Sequence, residues 1–408
     1  MSTVTDVPIE DPQFYLDDPW PTFEWMQRDA PFWYYEPLDT FVLTRYDDIK
    51  AVAGLPHVFV SSRGLFLNDV KFQAQAGDEL LTDRFFPKGG EQVGTTDPPR
   101  HRDLRRVIAP AFTEEAMDRL SGPIDGYVAE LLDGITPGEV VDWVTHASLI
   151  PIFVGTHLIG LPDADVDRVR FWSDALEKLG GDLSFEELDA AATDLQSLQP
   201  YILEAIEHKR RGSTGGDLLS VLLEQEIDNE KVSEANVVMF AMTMMAAGSD
   251  TTRSLLSGLV CELARHPDQW KRLRTDRSLV RLAIEETMRF VTPARAFLRT
   301  AIEGVELNGH EISEGQHVYV MYMAGNRDER VFPRPHEYDV GRQESVRHLS
   351  FGAGAHVCAA SRLVRREAPI VLNALLDRFS RIELADAPTP VTHIIRNGWS
   401  RMPVVFRA

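Results

Sequence analysis

Cysteine is scarce in this chain: Cys261 and Cys358 are the only two among 408 residues. That argues against a disulfide framework and fits a reducing compartment. Gly/Ser-rich or Pro-rich tracts, internal repeats and low-complexity stretches are missing too, so nothing reads as a linker. Length alone would allow two or three domains, but a single domain over 1–408 is the expectation. Positive charge is also in short supply. Against 63 Asp and Glu there are 42 Lys and Arg, a net charge of −21 that speaks against nucleic acid or an anionic membrane as partner. The opening residues, MSTVTDVPIEDPQFYLDDPW, are acidic and broken by prolines, unlike a signal peptide or a membrane anchor. A soluble, cytoplasmic, monomeric protein is expected.

Apolar residues, by contrast, make up 44% of the chain, enough for a large core. The stretch at 345–367, SVRHLSFGAGAHVCAASRLVRRE, places one cysteine where a Gly-punctuated loop turns into a helical pattern. Gly352 and Gly354 permit positive φ and a close backbone approach to a large planar group. A sulfur at a helix N-terminus gains from the free amides and the dipole, which favour thiolate. Cys358 is therefore read as an iron ligand. The rival readings are a structural buried cysteine and a zinc site with His348 and His356, which would lack a second thiolate because Cys261 lies far upstream.

The run from Phe351 to Cys358, FGAGAHVC, resembles the haem-binding loop of the cytochromes P450, F-G-x-G-x-H-x-C. One departure is Ala360, where that family usually has glycine. The resemblance implies Cys358 as proximal ligand of haem b (iron protoporphyrin IX), with Phe351, Gly352 and His356 in the haem loop. DPPRHRDLR, from Asp97, resembles the family's D-P-P-x-H-x-x-x-R stretch, so His101 and Arg105, one turn apart on a helix, are expected on a haem propionate. Arg299, before Thr300-Ala301, is expected on a propionate as well.

One long helical pattern runs from the N-cap candidate Ser233 to Pro267. Inside its apolar first half, AGSDTT from Ala247 to Thr252 resembles the family's oxygen-activating motif, so Thr251 and Asp250 are expected to deliver protons and Ala247 to lie against the haem. Phe240, Thr243 and Ala247 share one helix face with Thr251 and are candidates for substrate contact; the methionines at 239, 242, 244 and 245 read as core filling. Glu286 and Arg289, with Arg342 in PHEYDVGR, resemble the family's structural Glu-Arg-Arg triad. In PARAFLR, strand alternation puts Arg295 and Phe297 on the face of Arg299. Arg295 is then either paired within the protein or a clamp for a carboxylate-bearing substrate. Ile395, with Ile394, is expected to dip into the pocket.

Of the remaining aromatics, Phe66, Phe72, Phe85 and Phe86 fall in an irregular stretch that should cover the pocket, and Phe171, Leu176, Leu179 and Phe185 in its lid helices. The expected fold is mainly α with a smaller β region, the triangular P450 fold with small antiparallel sheets. It begins with a hairpin at PFWYY and FVLTRY, carries only helices between 114 and 232, and closes in a hairpin-like return, RNGWSRMPVVF. The implied reaction inserts one oxygen atom from O2 into a small-to-medium hydrophobic substrate. Electrons would come from an acidic ferredoxin, docking on Arg100, Arg102 and Arg106 and on Arg362, Arg365 and Arg366. A peroxide-driven peroxygenase and a haem-thiolate sensor or electron carrier are the alternatives.

Overall fold

The computed structural model describes residues 7–77, 80–178, 181, 183–212 and 215–408. Near the N-terminus, the alternating segments Phe32–Tyr35 (β1) and Thr40–Leu43 (β2) pair antiparallel across a turn at Asp39, whose φ is 43°. Helix α1 (Tyr46–Ala53) follows at once. Strand β5 (His317–Val320) joins β2 in parallel and pairs antiparallel with β4 (Phe297–Ala301). Strand β3 (Phe59–Val60) completes a five-stranded sheet ordered β1-β2-β5-β4-β3. Alternation along β4 sends Leu298 into the core under the sheet and Phe297 and Arg299 toward a large cavity.

The helices that frame that cavity are α2 (Arg100–Ile108), α3 (Glu114–Asp133), α4 (Trp143–Ile159), α5 (Val166–Glu177), α6 (Phe185–Asp194), α7 (Leu198–Arg211), α8 (Glu234–Arg265), α9 (Val280–Val291) and α10 (Ser361–Arg378). Helix α8 is the axis. Ser233 caps its first turn by accepting from Asn236 N at 3.2 Å, and it ends at His266, where Pro267 cannot continue the ladder. Helices α4, α5, α7 and α9 pack around it. Its C-terminal half buries Leu255, Leu256, Leu259, Val260 and Cys261 fully. Each leucine there is worth about 1.5–3 kcal/mol of burial. Helix α10 packs on α3 and α9 and so fixes the loop that precedes it.

Three short β elements escape the sequence pattern. Val140–Asp142 forms a strand inside the stretch expected to be only helical, because it pairs with Pro403–Arg407 about 260 residues away. Glu226–Ile227 and Glu230–Lys231 form a two-stranded hairpin there as well. The C-terminal return is not a hairpin on itself. Trp399–Arg401 pairs with Thr389–Pro390, and Pro403–Arg407 lies between Arg381–Leu384 and Val140–Asp142. Among the described residues no helix is long and apolar enough to cross a membrane.

Candidate active site

The cysteine loop is held from several sides. Cys358 N donates to Phe351 O at 2.8 Å, and Gly352 and Gly354 adopt φ of 72° and 68°. A Cβ on Gly354 would lie 1.9 Å from Ala53 O, so only glycine lets the loop seat against α1. The amides of Ala360 and Ser361, at the start of α10, donate to the Cys358 sulfur. Ala360 is in ordinary conformation, φ −86°, so its methyl in place of the usual glycine carries no backbone strain. Burial pushes the Cys358 thiol up from its ordinary value, outweighing the two amides, Arg105 and Arg365. The amides of the helix start act in the expected direction, toward thiolate, but against the larger effect of burial; a coordinated cation would add to them.

Cys358 opens onto a cavity of about 380 Å³ between the cysteine loop, α2, α8 and β4. His101, Arg105 and Arg299 line it, with Phe351, Gly352 and His356. His101 is 2% exposed, its ring lies 4.2 Å from that of His356, and neither of its nitrogens has a hydrogen-bond partner among the described residues. Arg105 and Arg299 have no ion pair among the described residues. Burial, then Arg299, His101 and Arg105, push His356 down to about 3, so that ring is neutral. Arg299 donates to Leu298 O at 2.6 Å, and donors and cations converging with no carboxylate paired to them among the described residues suit an anionic group with several oxygens. The residues thus fit a haem with its propionates here.

Across the cavity, Phe240, Thr243, Ala247, Asp250 and Thr251 all face in from α8. Gly248 does so too, with nothing within 4 Å of where a Cβ would stand. The Thr251 hydroxyl donates to Ala247 O at 2.8 Å, leaving its lone pairs to accept. Asp250 is paired with Arg253 one turn on, and with Arg396 at 3.3 Å. Burial pushes its carboxyl up to about 7, against the pull of Arg253.

Phe297 and Ile395 line the cavity; Arg295 does not. It sits before β4 rather than in it, so strand alternation does not reach it, and its side chain turns into the core. There the guanidinium donates to His393 O, to Ile394 O at 3.4 Å and to Asn397 Oδ1 at 3.2 Å, with the Tyr15 ring 4.9 Å away. Arg295 is thus paired within the protein and does not clamp a substrate carboxylate in the cavity. Ile394 is likewise buried away from the cavity. In the covering loop, Phe66 and Phe86 reach the cavity while Phe72 and Phe85 join the core. Among the lid candidates Leu176 lines the cavity, Phe171 is solvent-exposed, Phe185 packs near Phe72, and Leu179 lies outside the described residues. Met244 lines the cavity rather than filling the core. Sequence reasoning also missed His393 and Arg396; the only signal was their place beside Ile395.

Behind the cysteine loop, Arg289 holds Glu286 through two 2.7 Å bonds and Arg342 adds a third at 3.2 Å, all three side chains being buried. Asn326 rivets this region to the loop, accepting from Leu349 N at 2.6 Å and donating to Ser350 Oγ and Thr292 Oγ1 at 2.8 Å. Glu285 is held down to about 2 by Arg365 and His348, which accounts for both of those groups and leaves the zinc reading no His348. The expected basic face is largely neutralised: Arg100 pairs with Glu91, Arg106 with Asp103, and Arg362 and Arg366 with Glu114. Arg102 has no ion pair among the described residues.

An α-rich fold with small sheets, built around one helix and enclosing an apolar cavity that ends at a half-buried cysteine, fits a haem-thiolate protein. Residues 185–394 match the family described as Cytochrome P450. Cytochrome P450 107B1 of Saccharopolyspora erythraea is 32% identical over 90% of this chain and 89% of its own length. The 6-deoxyerythronolide B hydroxylase of the same organism is 31% identical over 99% of each. The crystal structure of CYP108D1 from Novosphingobium aromaticivorans superposes with a TM-score of 0.87 at 26% identity, over 99% of both chains. The chain belongs to the cytochrome P450 family. It is a monooxygenase, and its cofactor is haem b.

Proposed function

We propose that this enzyme oxygenates a neutral hydrophobic molecule of small to medium size, by hydroxylation or O-dealkylation, with electrons from an acidic ferredoxin. The observation that carries this is the wall facing Cys358, where Phe66, Phe86, Phe240, Met244, Phe297 and Ile395 make an almost wholly apolar surface. The burial of Arg295 elsewhere removes the carboxylate clamp that the sequence suggested. Relatives point the same way: one acts on 6-deoxyerythronolide B by its name, and CYP109E1 from Bacillus megaterium, 26% identical with a TM-score of 0.83, was solved with corticosterone.

When bound, haem supplies the oxidising chemistry that places one atom of O2 in the substrate. In this reading Cys358 ligates its iron, His101, Arg105 and Arg299 hold its propionates, and Phe351, Gly352, His356 and Ala247 pack against it. Thr251 Oγ1 and the Asp250 carboxyl hold and pass protons. A carboxyl near pH 7 is suited to that work, since it gives and regains a proton at the operating pH. Phe240, Thr243, Phe297 and Ile395 shape the substrate site. A reaction driven by peroxide has no use for the acid and alcohol, which favours O2 with external electrons over the peroxygenase reading. A sensor or electron carrier needs no lined cavity.

The experiment is NADH consumption with ferredoxin and ferredoxin reductase, coupled to product from ligands chosen by their spin-state shift in the Soret band. Turnover with H2O2 that equals or exceeds it would overturn the proposal.

A further inference from the structure

Five residues, His393–Asn397, form a strap across the cavity wall. Its cavity side carries His393, Ile395 and Arg396 itself, and the intervening chain is closed on itself, His393 Nδ1 accepting from Ile395 N at 3.0 Å and Arg396 N at 2.8 Å. The strap is tied to the segment before β4 by Arg295 N to Ile395 O and Asn397 N to Pro293 O, at 2.8 and 2.9 Å. From beneath, the Arg295 guanidinium grips the carbonyls of His393 and Ile394 and the Asn397 side chain. On its other side the strap abuts α8: a Cβ on Gly398 would stand 2.6 Å from Ser254 Oγ.

Arg396 belongs to this strap, and its guanidinium crosses to Asp250 of α8 at 3.3 Å, both side chains being 14% exposed. The other guanidinium on Asp250, Arg253, stands on the same helix and moves with it. Asp174 of α5 is the remaining charge facing this group, and it acts in the opposite sense. Of the two guanidinium groups that reach the acid among the described residues, Arg396 is the one that comes from outside α8, from a second element that also touches the substrate space.

We propose that Arg396 is a positioning residue for proton delivery: it fixes the Asp250 carboxyl from the strap, so that a substrate pressing on neighbouring Ile395 alters the hold on the acid. The inference rests on the reading of Asp250 as proton carrier. Because residues 395 and 396 are adjacent in a strap closed by its own hydrogen bonds, displacement of one displaces the other. Enzyme occupied by a well-fitting substrate then differs from empty enzyme at the proton source, not only at the pocket wall. This gives the chain a means of matching proton supply to substrate fit.

The test compares holoenzyme variants Arg396→Gln, Arg396→Lys and Asp250→Asn in product formed per NADH, in H2O2 released, and in the pH profile of that coupling. Loss of the Arg396 cation makes the carboxylate harder to form, so Arg396→Gln should move the acid limb of the profile to higher pH and lower coupling about tenfold, the scale of a small misplacement at a reacting centre. Arg396→Lys should restore most of both. The native enzyme's dependence of coupling on substrate size should flatten in Arg396→Gln. A change confined to the spin-shift dissociation constant would make Arg396 a direct substrate contact, and one confined to melting temperature would make it structural; either result overturns the inference. Coupling unchanged in Asp250→Asn would instead remove the proton-carrier reading, and the inference with it.

Discussion

The two walls of the cavity are built differently. On the cysteine side the loop is locked by Gly354 against α1, by Asn326, by the buried Glu286–Arg289–Arg342 cluster and by the Glu285–Arg365 ion pair. On the opposite side the wall is assembled from remote pieces: the covering loop with Phe66 and Phe86, the lid residue Leu176, α8 and the strap His393–Asn397. The first wall must hold a rigid planar group, so it tolerates little movement. The second must fit a particular substrate, and it is held mostly by backbone bridges and by single side chains such as Arg295 and Arg396.

Removing the ligand on the rigid wall should have the largest effect. Cys358→Ser is expected to abolish the reduced-CO band that names the family and all monooxygenation; a variant that keeps that band would break the organising claim of the site. Next comes Glu286→Gln, which leaves two buried cations facing each other without a carboxylate. Denaturant unfolding of the holoprotein should show a loss of about 3–5 kcal/mol, and a loss under 1 kcal/mol would mean the wall is rigid for some other reason.

On the substrate side the effects should be on coupling rather than on folding. Thr251→Ala removes one hydroxyl that donates to Ala247 O. It should divert NADH electrons to peroxide about tenfold more than the native enzyme, with melting temperature nearly unchanged; the reverse pattern would reduce Thr251 to a helix-kink residue. Arg295→Leu should cost about 2 kcal/mol, by leaving the strap's carbonyls unpaired. Acid and methyl-ester forms of a hydrophobic ligand should bind it in the same ratio as they bind the native enzyme, and an inverted ratio would return the guanidinium to the cavity. Smallest is Arg102→Glu, expected to raise the ferredoxin requirement about 2- to 3-fold at low salt and less at high salt. No change would place docking elsewhere than the Arg102 face.

Motif and period were enough to read most of the rigid wall. The cysteine loop, the Glu-x-x-Arg pair and the DPP turn with its basic helix, like the long helix from Ser233 on the other wall, all depend on neighbours within a few residues, which the chain order itself supplies. Arg342, distant in sequence, was legible only because it sits in a recognisable run, PHEYDVGR. The same local rules misplaced Arg295. Its spacing from Arg299 predicts a shared face, but the strand begins two residues later, and the carbonyls that capture its guanidinium come from about a hundred residues away.

By itself, then, the sequence determined the kind of protein this is, a helical cytochrome P450, and singled out one cysteine as the proposed metal ligand and an acid–alcohol pair as the proposed proton carriers. Those features are local chemistry at fixed spacing. Only the tertiary structure decided which aromatics face the cavity, that Val140–Asp142 is a strand, that Arg295 is a buried brace, and that Arg396 meets Asp250. Each of these depends on a partner from a distant part of the chain, and periodicity along one segment carries no information about what will be packed against it.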